Sequence, residues 1–135
     1  MNKNFYITTP IYYPSAKPHM GHAYSGIIAD FFARFKKMDG FNVHFLTGTD
    51  EHGLKIQRAS EYNKMDTQKF CDEISKTFQD LSKMLNLSTN DFIRTTEKRH
   101  EISVQNLWNI LEKNGNIYLS KYAGWYSVSD EAYYI

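Results

Sequence analysis

Two histidines on either side of a glycine, in His19-Met20-Gly21-His22, are the groups whose type and spacing point most directly to chemistry. They follow an apolar segment, Phe5-Tyr6-Ile7, across a loop stiffened by Pro10, Pro14 and Pro18, and they open an amphipathic stretch. The pattern reads strand, rigid loop, helix start. A helix start presents free backbone N–H groups and the positive end of the dipole, and imidazole N–H groups placed there add further donors for anionic oxygens. Gly21 removes the side chain that would block a flat ring or a phosphate. The implied chemistry is nucleotide binding at the carboxyl end of a sheet strand. His-x-x-His at such a place could instead be a surface pair or part of a metal site, but a third ligand is missing. A second polar cluster, Gly48-Thr49-Asp50-Glu51-His52-Gly53, follows the next predicted strand and reaches the same sheet edge. Glu51 and His52 viewed alone resemble an acid–base or metal pair. Without a nucleophile motif or a metal set beside them, His52 reads as a loop residue near the nucleotide.

The elements that must position these groups are legible from periodicity. Residues 4–9 form a short buried strand stopped by Pro10, and residues from about 22 to 38 form a helix. That helix carries Ile27 or Ile28, Phe31, Phe35 and Met38 along one face, and Asp39-Gly40 ends it. In 41–47, Phe41, Val43 and Phe45 alternate with Asn42, His44 and Leu46, completing a βαβ unit with parallel strands. A short helix over 54–62 follows, then a longer one from Asp66 or Thr67 with Phe70, Ile74, Phe78, Leu81 and Leu85 as its buried stripe. Asp91-Phe92-Ile93 is a short strand, and 97–113 an amphipathic helix with Ile102, Val104, Leu107, Trp108 and Leu111, closed by Asn114-Gly115. Tyr- and Gly-rich β segments come last: Ile117-Tyr118-Leu119, Trp125-Tyr126-Ser127-Val128 and Ala132-Tyr133-Tyr134-Ile135. The fold class is α/β, half of a Rossmann-like nucleotide-binding fold.

Composition narrows the possibilities. A chain of 135 residues is about one domain long, and 41% hydrophobic residues with ten tyrosines and nine phenylalanines indicate a packed globular protein. A net charge of +1 makes no electrostatic case for nucleic-acid binding by this piece. The single cysteine, Cys71, excludes an intramolecular disulfide and a multi-cysteine zinc site, and reads as a small buried hydrophobe. No apolar run reaches the roughly 18 residues that a membrane span needs. The N-terminus enters a strand directly, so the expected location is cytoplasmic, and the sequon Asn86-Leu87-Ser88 is treated as chance.

The histidine motif resembles the His-Ile-Gly-His signature of class I aminoacyl-tRNA synthetases. Thr9-Pro10-Ile11-Tyr12-Tyr13, Leu46-Thr47-Gly48-Thr49-Asp50-Glu51-His52-Gly53, Phe92-Ile93-Arg94-Thr95-Thr96-Glu97 and Gly124-Trp125-Tyr126-Ser127 narrow the resemblance to the methionyl-tRNA synthetases. These blocks, in order, span nearly the whole chain. The resemblance implies ATP-dependent activation of methionine to methionyl-adenylate and transfer to tRNA(Met), with ATP and Mg2+ and no membrane. By it, His19 and His22 are catalytic and bind ATP phosphates together with Lys17, and Gly21 lets the adenine approach. Asp50 anchors the substrate ammonium, with a helix N-cap as its alternative role. Pro10, Ile11 and Tyr13 line the methionine pocket, with core packing as the alternative for Ile11 and Tyr13. Residues 1–115 correspond to the N-terminal half of the catalytic domain and 116–135 to the start of a connective insertion.

The sequence also departs from the family pattern. Where many members carry zinc-binding cysteine knuckles, Gly124-Trp125-Tyr126-Ser127-Val128-Ser129-Asp130-Glu131 offers serines and acids, so no zinc is expected. The second signature, Lys-Met-Ser-Lys-Ser, is absent: Lys37-Met38, Lys64-Met65 and Lys83-Met84 lack its continuation. The chain is expected to be a fragment, inactive alone. Two rivals are another class I nucleotidyl transferase and a non-catalytic binding module derived from a synthetase.

Overall fold

A computed structural model describes residues 3–134, so Ile135, the last residue of the expected final apolar segment, lies outside the described residues. The chain divides into two compact units, Met1–Glu101 and Ile102–Ile135. The division falls inside a helix. In the first unit, strands β1 (Lys3–Thr8), β2 (Phe41–Thr49) and β3 (Asp91–Arg94) form a parallel sheet in the order β1-β2-β3. Helices α1 (Met20–Met38), α2 (Leu54–Tyr62) and α3 (Thr67–Met84) connect them. The register pairs Thr8 with Leu46 and Thr49 with Arg94, which brings the carboxyl ends of the strands to one edge. An isolated parallel bridge from Tyr12 to Thr49 extends that edge into the loop after β1.

Helix α1 corrects the expected packing. Its row Ile27, Phe31, Phe35 and Met38 points outward, and Ala23, Gly26, Ala29 and Ala33 are buried with Asp30. Small residues let the helix approach the sheet closely, and Phe45 of β2, fully buried, fills the space between Ala29 and Ala33 with Ile7 and Val43 against it. Aromatic periodicity alone could not separate these two faces. Strand β1 is likewise not buried throughout: it pairs on one edge only, alternates exposed with half-buried residues, and leaves Tyr6 61% exposed with its ring stacked on His44.

Asp66 caps α3, as expected for its N-terminus, its carboxylate accepting from the Lys69 amide. Phe70 and Phe78 are buried and Ile74, Leu81 and Leu85 half-buried along the predicted stripe. Asp30 on α1 accepts from both the amide and the hydroxyl of Ser88, tying α1 to the connection between α3 and β3. A second core cluster joins Ile56, Phe70 and Cys71, with Tyr13, Ala59, Met65 and Ile74 against it.

Helix α4 (Lys98–Lys113) begins one residue later than expected and buries no residue, leaving Leu107 and Trp108 more than half exposed. The second unit ends in an antiparallel hairpin of β4 (Trp125–Ser127) and β5 (Ala132–Tyr134). Its turn is held by Ser127 and Tyr134 hydroxyls donating to Asp130, with Glu131 at φ 51°. Ile117-Tyr118-Leu119 forms no strand: Tyr118 and Leu119 are exposed and no partner strand pairs with them among the described residues. No helix among the described residues is long and apolar enough to cross a membrane.

Candidate active site

Helix α1 begins two residues before the expected start, so His19 is its N-cap and not a residue ahead of it. The two histidines then cap reciprocally. His19 Nδ1 accepts from the Gly21 amide at 3.0 Å, and His22 Nδ1 accepts from the His19 amide at 3.0 Å. This is a capping box built from imidazoles. A ring nitrogen that accepts carries no proton, so each neutral ring keeps its proton on Nε2 and offers it as a donor. Burial, and then the neighbouring His19, hold the His22 pKa below the ordinary histidine value, which keeps that ring neutral. The ring centroids lie 3.9 Å apart.

Gly21 lies against the His19 ring. A Cβ there would meet His19 Cε1 at 2.9 Å and Nδ1 at 3.1 Å. The glycine is required first by the His19 ring folding back over its own helix turn.

His22 is half-buried, edge-on to Tyr12 (5.3 Å) and to Phe78 (5.0 Å), and Tyr12 stacks on Phe78 at 5.0 Å. Tyr12 is 5% exposed and is the residue that sequence reasoning passed over between Ile11 and Tyr13. Its amide donates to the Gly48 carbonyl and its carbonyl accepts from the Asp50 amide, each at 2.8 Å. One residue therefore packs against the histidine turn and fixes the main chain of the acid. Tyr12 forms a parallel bridge with Thr49 there, and no periodic pattern in the segment singled the residue out.

Asp50 follows β2 at the carboxyl edge of the sheet. It caps no helix, because the N-cap of α2 is Gly53 at φ 113° with no side-chain cap. Tyr13 packs on the Ile56, Phe70 and Cys71 cluster and donates its hydroxyl to the His52 carbonyl at 2.9 Å. Its ring is thus partly a core element. Ile11 is 40% exposed. Pro10 lines an open cleft of about 340 Å³ with Thr9, Tyr24, Ser25, Ile28 and Phe32. Lys17 is exposed in the loop before His19.

Glu51 turns inward, away from any acid–base use. Its side chain is 0% exposed and accepts from Thr49, from Thr96 and, as a two-pronged pair, from Arg94. Burial pushes its carboxyl up, yet the Arg94, Thr96 and Thr49 hydrogen bonds outweigh that, and the pKa is lowered. His52 Nδ1 lies 3.0 Å from Thr95 Oγ1. Cys71 is 1% exposed, and burial, followed by the Glu51 charge, pushes its thiol up to about 11, which makes it inert. Among the described residues, His, Cys, Asp and Glu side chains form no group of three or more that could hold a metal ion.

Residues 5–135 match the family described as tRNA synthetases class I (M). The chain is 51% identical over 133 residues to the methionine–tRNA ligase of Bacillus subtilis, covering 98% of this chain and 20% of that protein. It is 52% identical over 132 residues to the mitochondrial methionine–tRNA ligase of Takifugu rubripes, with coverage of 98% and 22%. Among solved structures, the methionyl-tRNA synthetase of Mycobacterium tuberculosis in complex with methionyl-adenylate superposes with a TM-score of 0.94 at 46% identity, over 98% of this chain and 26% of that one. A LeuRS of Agrobacterium radiobacter K84 shares the fold, with a TM-score of 0.80 at 21% identity over 96% of this chain and 17% of that one. The chain spans about a fifth of the curated relatives it matches.

Proposed function

Because this chain belongs to the class I (M) family of tRNA synthetases, we propose that the complete protein is a methionine–tRNA ligase, and that residues 1–115 supply the ATP and ammonium side of its active site. Residues 116–135 open the connective insertion. The observation that carries this reading is the link through Tyr12, which joins the imidazole-capped helix start to the Asp50 main chain at the carboxyl ends of adjacent parallel strands.

In the activation step a methionine carboxylate oxygen attacks the α-phosphorus of ATP, the bond to the bridging oxygen breaks, and pyrophosphate leaves. Little covalent work falls to the protein; alignment and charge stabilisation do the catalysis. His19 and His22 give Nε2–H donors to the phosphate oxygens, and the positive end of α1 adds to that field. Lys17, exposed in the loop before His19, is a further phosphate contact. Asp50 pairs with the substrate ammonium, while Pro10, Ile11 and Tyr13 border the thioether side chain. ATP enters as its Mg2+ complex, and tRNA(Met) binds largely through parts of the protein beyond this chain. Alone, the chain lacks the lysine loop and is inactive.

Methionine-dependent ATP–pyrophosphate exchange tests the assignment. The complete protein should catalyse exchange with methionine and the 135-residue chain should not. Exchange dependent on another amino acid, or on none, would refute the methionine assignment.

A further inference from the structure

The segment Asp50-Glu51-His52 is clamped from several elements at once. The Asp50 amide is held by Tyr12. The Glu51 amide donates to Thr95 Oγ1 at 2.8 Å, and the Glu51 carbonyl accepts from Cys71 Sγ at 3.9 Å. The Glu51 carboxylate, fully enclosed, takes Arg94 Nε at 2.7 Å and Nη2 at 3.0 Å. Arg94 stands at the end of β3, 20% exposed, and reaches Asp72 on α3 with the same Nη2.

A buried ion pair is a poor way to gain stability, because desolvating two charges offsets most of their attraction. What a two-pronged guanidinium–carboxylate pair does well is fix geometry, since its planar fork allows one relative orientation. Here the fork locks the residue directly after Asp50 onto β3 and α3. The Asp50 carboxylate itself engages no hydrogen bond or ion pair among the described residues. Its peptide is immobilised and its side chain is left available.

We propose that Arg94, acting through Glu51, is a positioning residue that aims Asp50 at the ammonium group of the amino-acid substrate. This rests on the substrate role given to Asp50 above.

The test uses the complete enzyme carrying R94K, D72N, D50N and the R94K/D50N pair, with KM for methionine and for ATP read by pyrophosphate exchange. Lysine keeps the charge and loses the fork. R94K should raise the methionine KM roughly tenfold, short of the roughly hundredfold that a misplacement of about 1 Å can cost, and leave the ATP KM unchanged. In the D50N background it should add almost nothing, because both changes remove the same contact. D72N removes only the half-exposed outer anchor, so it keeps the fold even if R94K loses it, and it should give a smaller rise in the same constant. An R94K effect on both substrates alike, or one that multiplies with D50N, would overturn the positioning role. If R94K yields no folded protein, an unchanged methionine KM in D72N overturns it instead. D50N without effect on the methionine KM would remove the Asp50 role and this proposal together. A D50N effect without an R94K effect sinks the proposal alone.

Discussion

The main-chain carbonyl of Tyr12 accepts the amide proton of Asp50 over 2.8 Å, and the ring of the same tyrosine meets His22 edge-on at 5.3 Å. The acid and the imidazoles are thus neighbours through one shared residue, although 28 positions separate Asp50 from His22 in the sequence (50 − 22). Parallel pairing makes this possible, because it puts the ends of β1 and β2 at the same edge.

Replacing His19 or His22 with alanine in the complete enzyme should slow adenylate formation more than it weakens methionine binding. A lost donor to a developing phosphoryl charge is worth roughly a hundredfold in rate. Each change also removes half of the capping box, at about 1 kcal/mol of helix stability. Rapid-quench measurement of adenylate at saturating ATP checks this; rates equal to the parent enzyme's would remove the role.

His22 should titrate below the ordinary histidine value, as the neutral Nε2–H tautomer. Its folded pKa is lowered, by burial first and His19 second, so the unfolded chain binds the proton more readily. The stability contribution is therefore complete above the unfolded value of about 6.5 and is lost as pH falls through the folded pKa. Nitrogen-15 NMR of the imidazoles reports both tautomer and midpoint, and a His22 midpoint above the ordinary value would contradict the capping arrangement.

Asp50→Ala should raise the methionine KM more than the ATP KM, since it removes the proposed ion pair to the amino acid and leaves the histidine turn in place. Equal changes in the two constants, measured by pyrophosphate exchange, would argue against the ammonium contact.

Gly48→Ala should cost roughly 2–4 kcal/mol of stability, read by chemical denaturation, because overpacking against backbone has no easy relief. A Cβ there would lie 2.0 Å from the Ile93 carbonyl oxygen, inside the β2–β3 pairing. Gly26→Ala should cost about 1 kcal/mol, because the closest atom to its Cβ is the movable Leu87 Cδ1 at 2.9 Å. A reversed order of the two losses would contradict this account of the sheet.

Much of this molecule was legible from the chain alone. Period-two and period-3.6 patterns located β2, α2, α3 and β3, and the Asp66 cap marked the start of α3, because local propensity and capping act over a few residues. His19, Gly21, His22 and Asp50 stood out because their types and their places at element ends suit anion and cation binding. The resemblance, in turn, rested on ordered blocks rather than on any contact.

Other features waited for tertiary packing. Both faces of α1 are apolar, and only the closeness of the sheet selects Ala23, Ala29 and Ala33 over Phe31 and Phe35 as the buried one. The same holds for Glu51. Viewed alone with His52 it suggested an acid–base or metal pair, and nothing in the sequence names its partner, Arg94, 43 positions away, which draws it inward. Residue types and local periodicity are properties of a segment, whereas the partner of a buried charge depends on which distant strand lies alongside. That pairing exists only once β2 and β3 are in register.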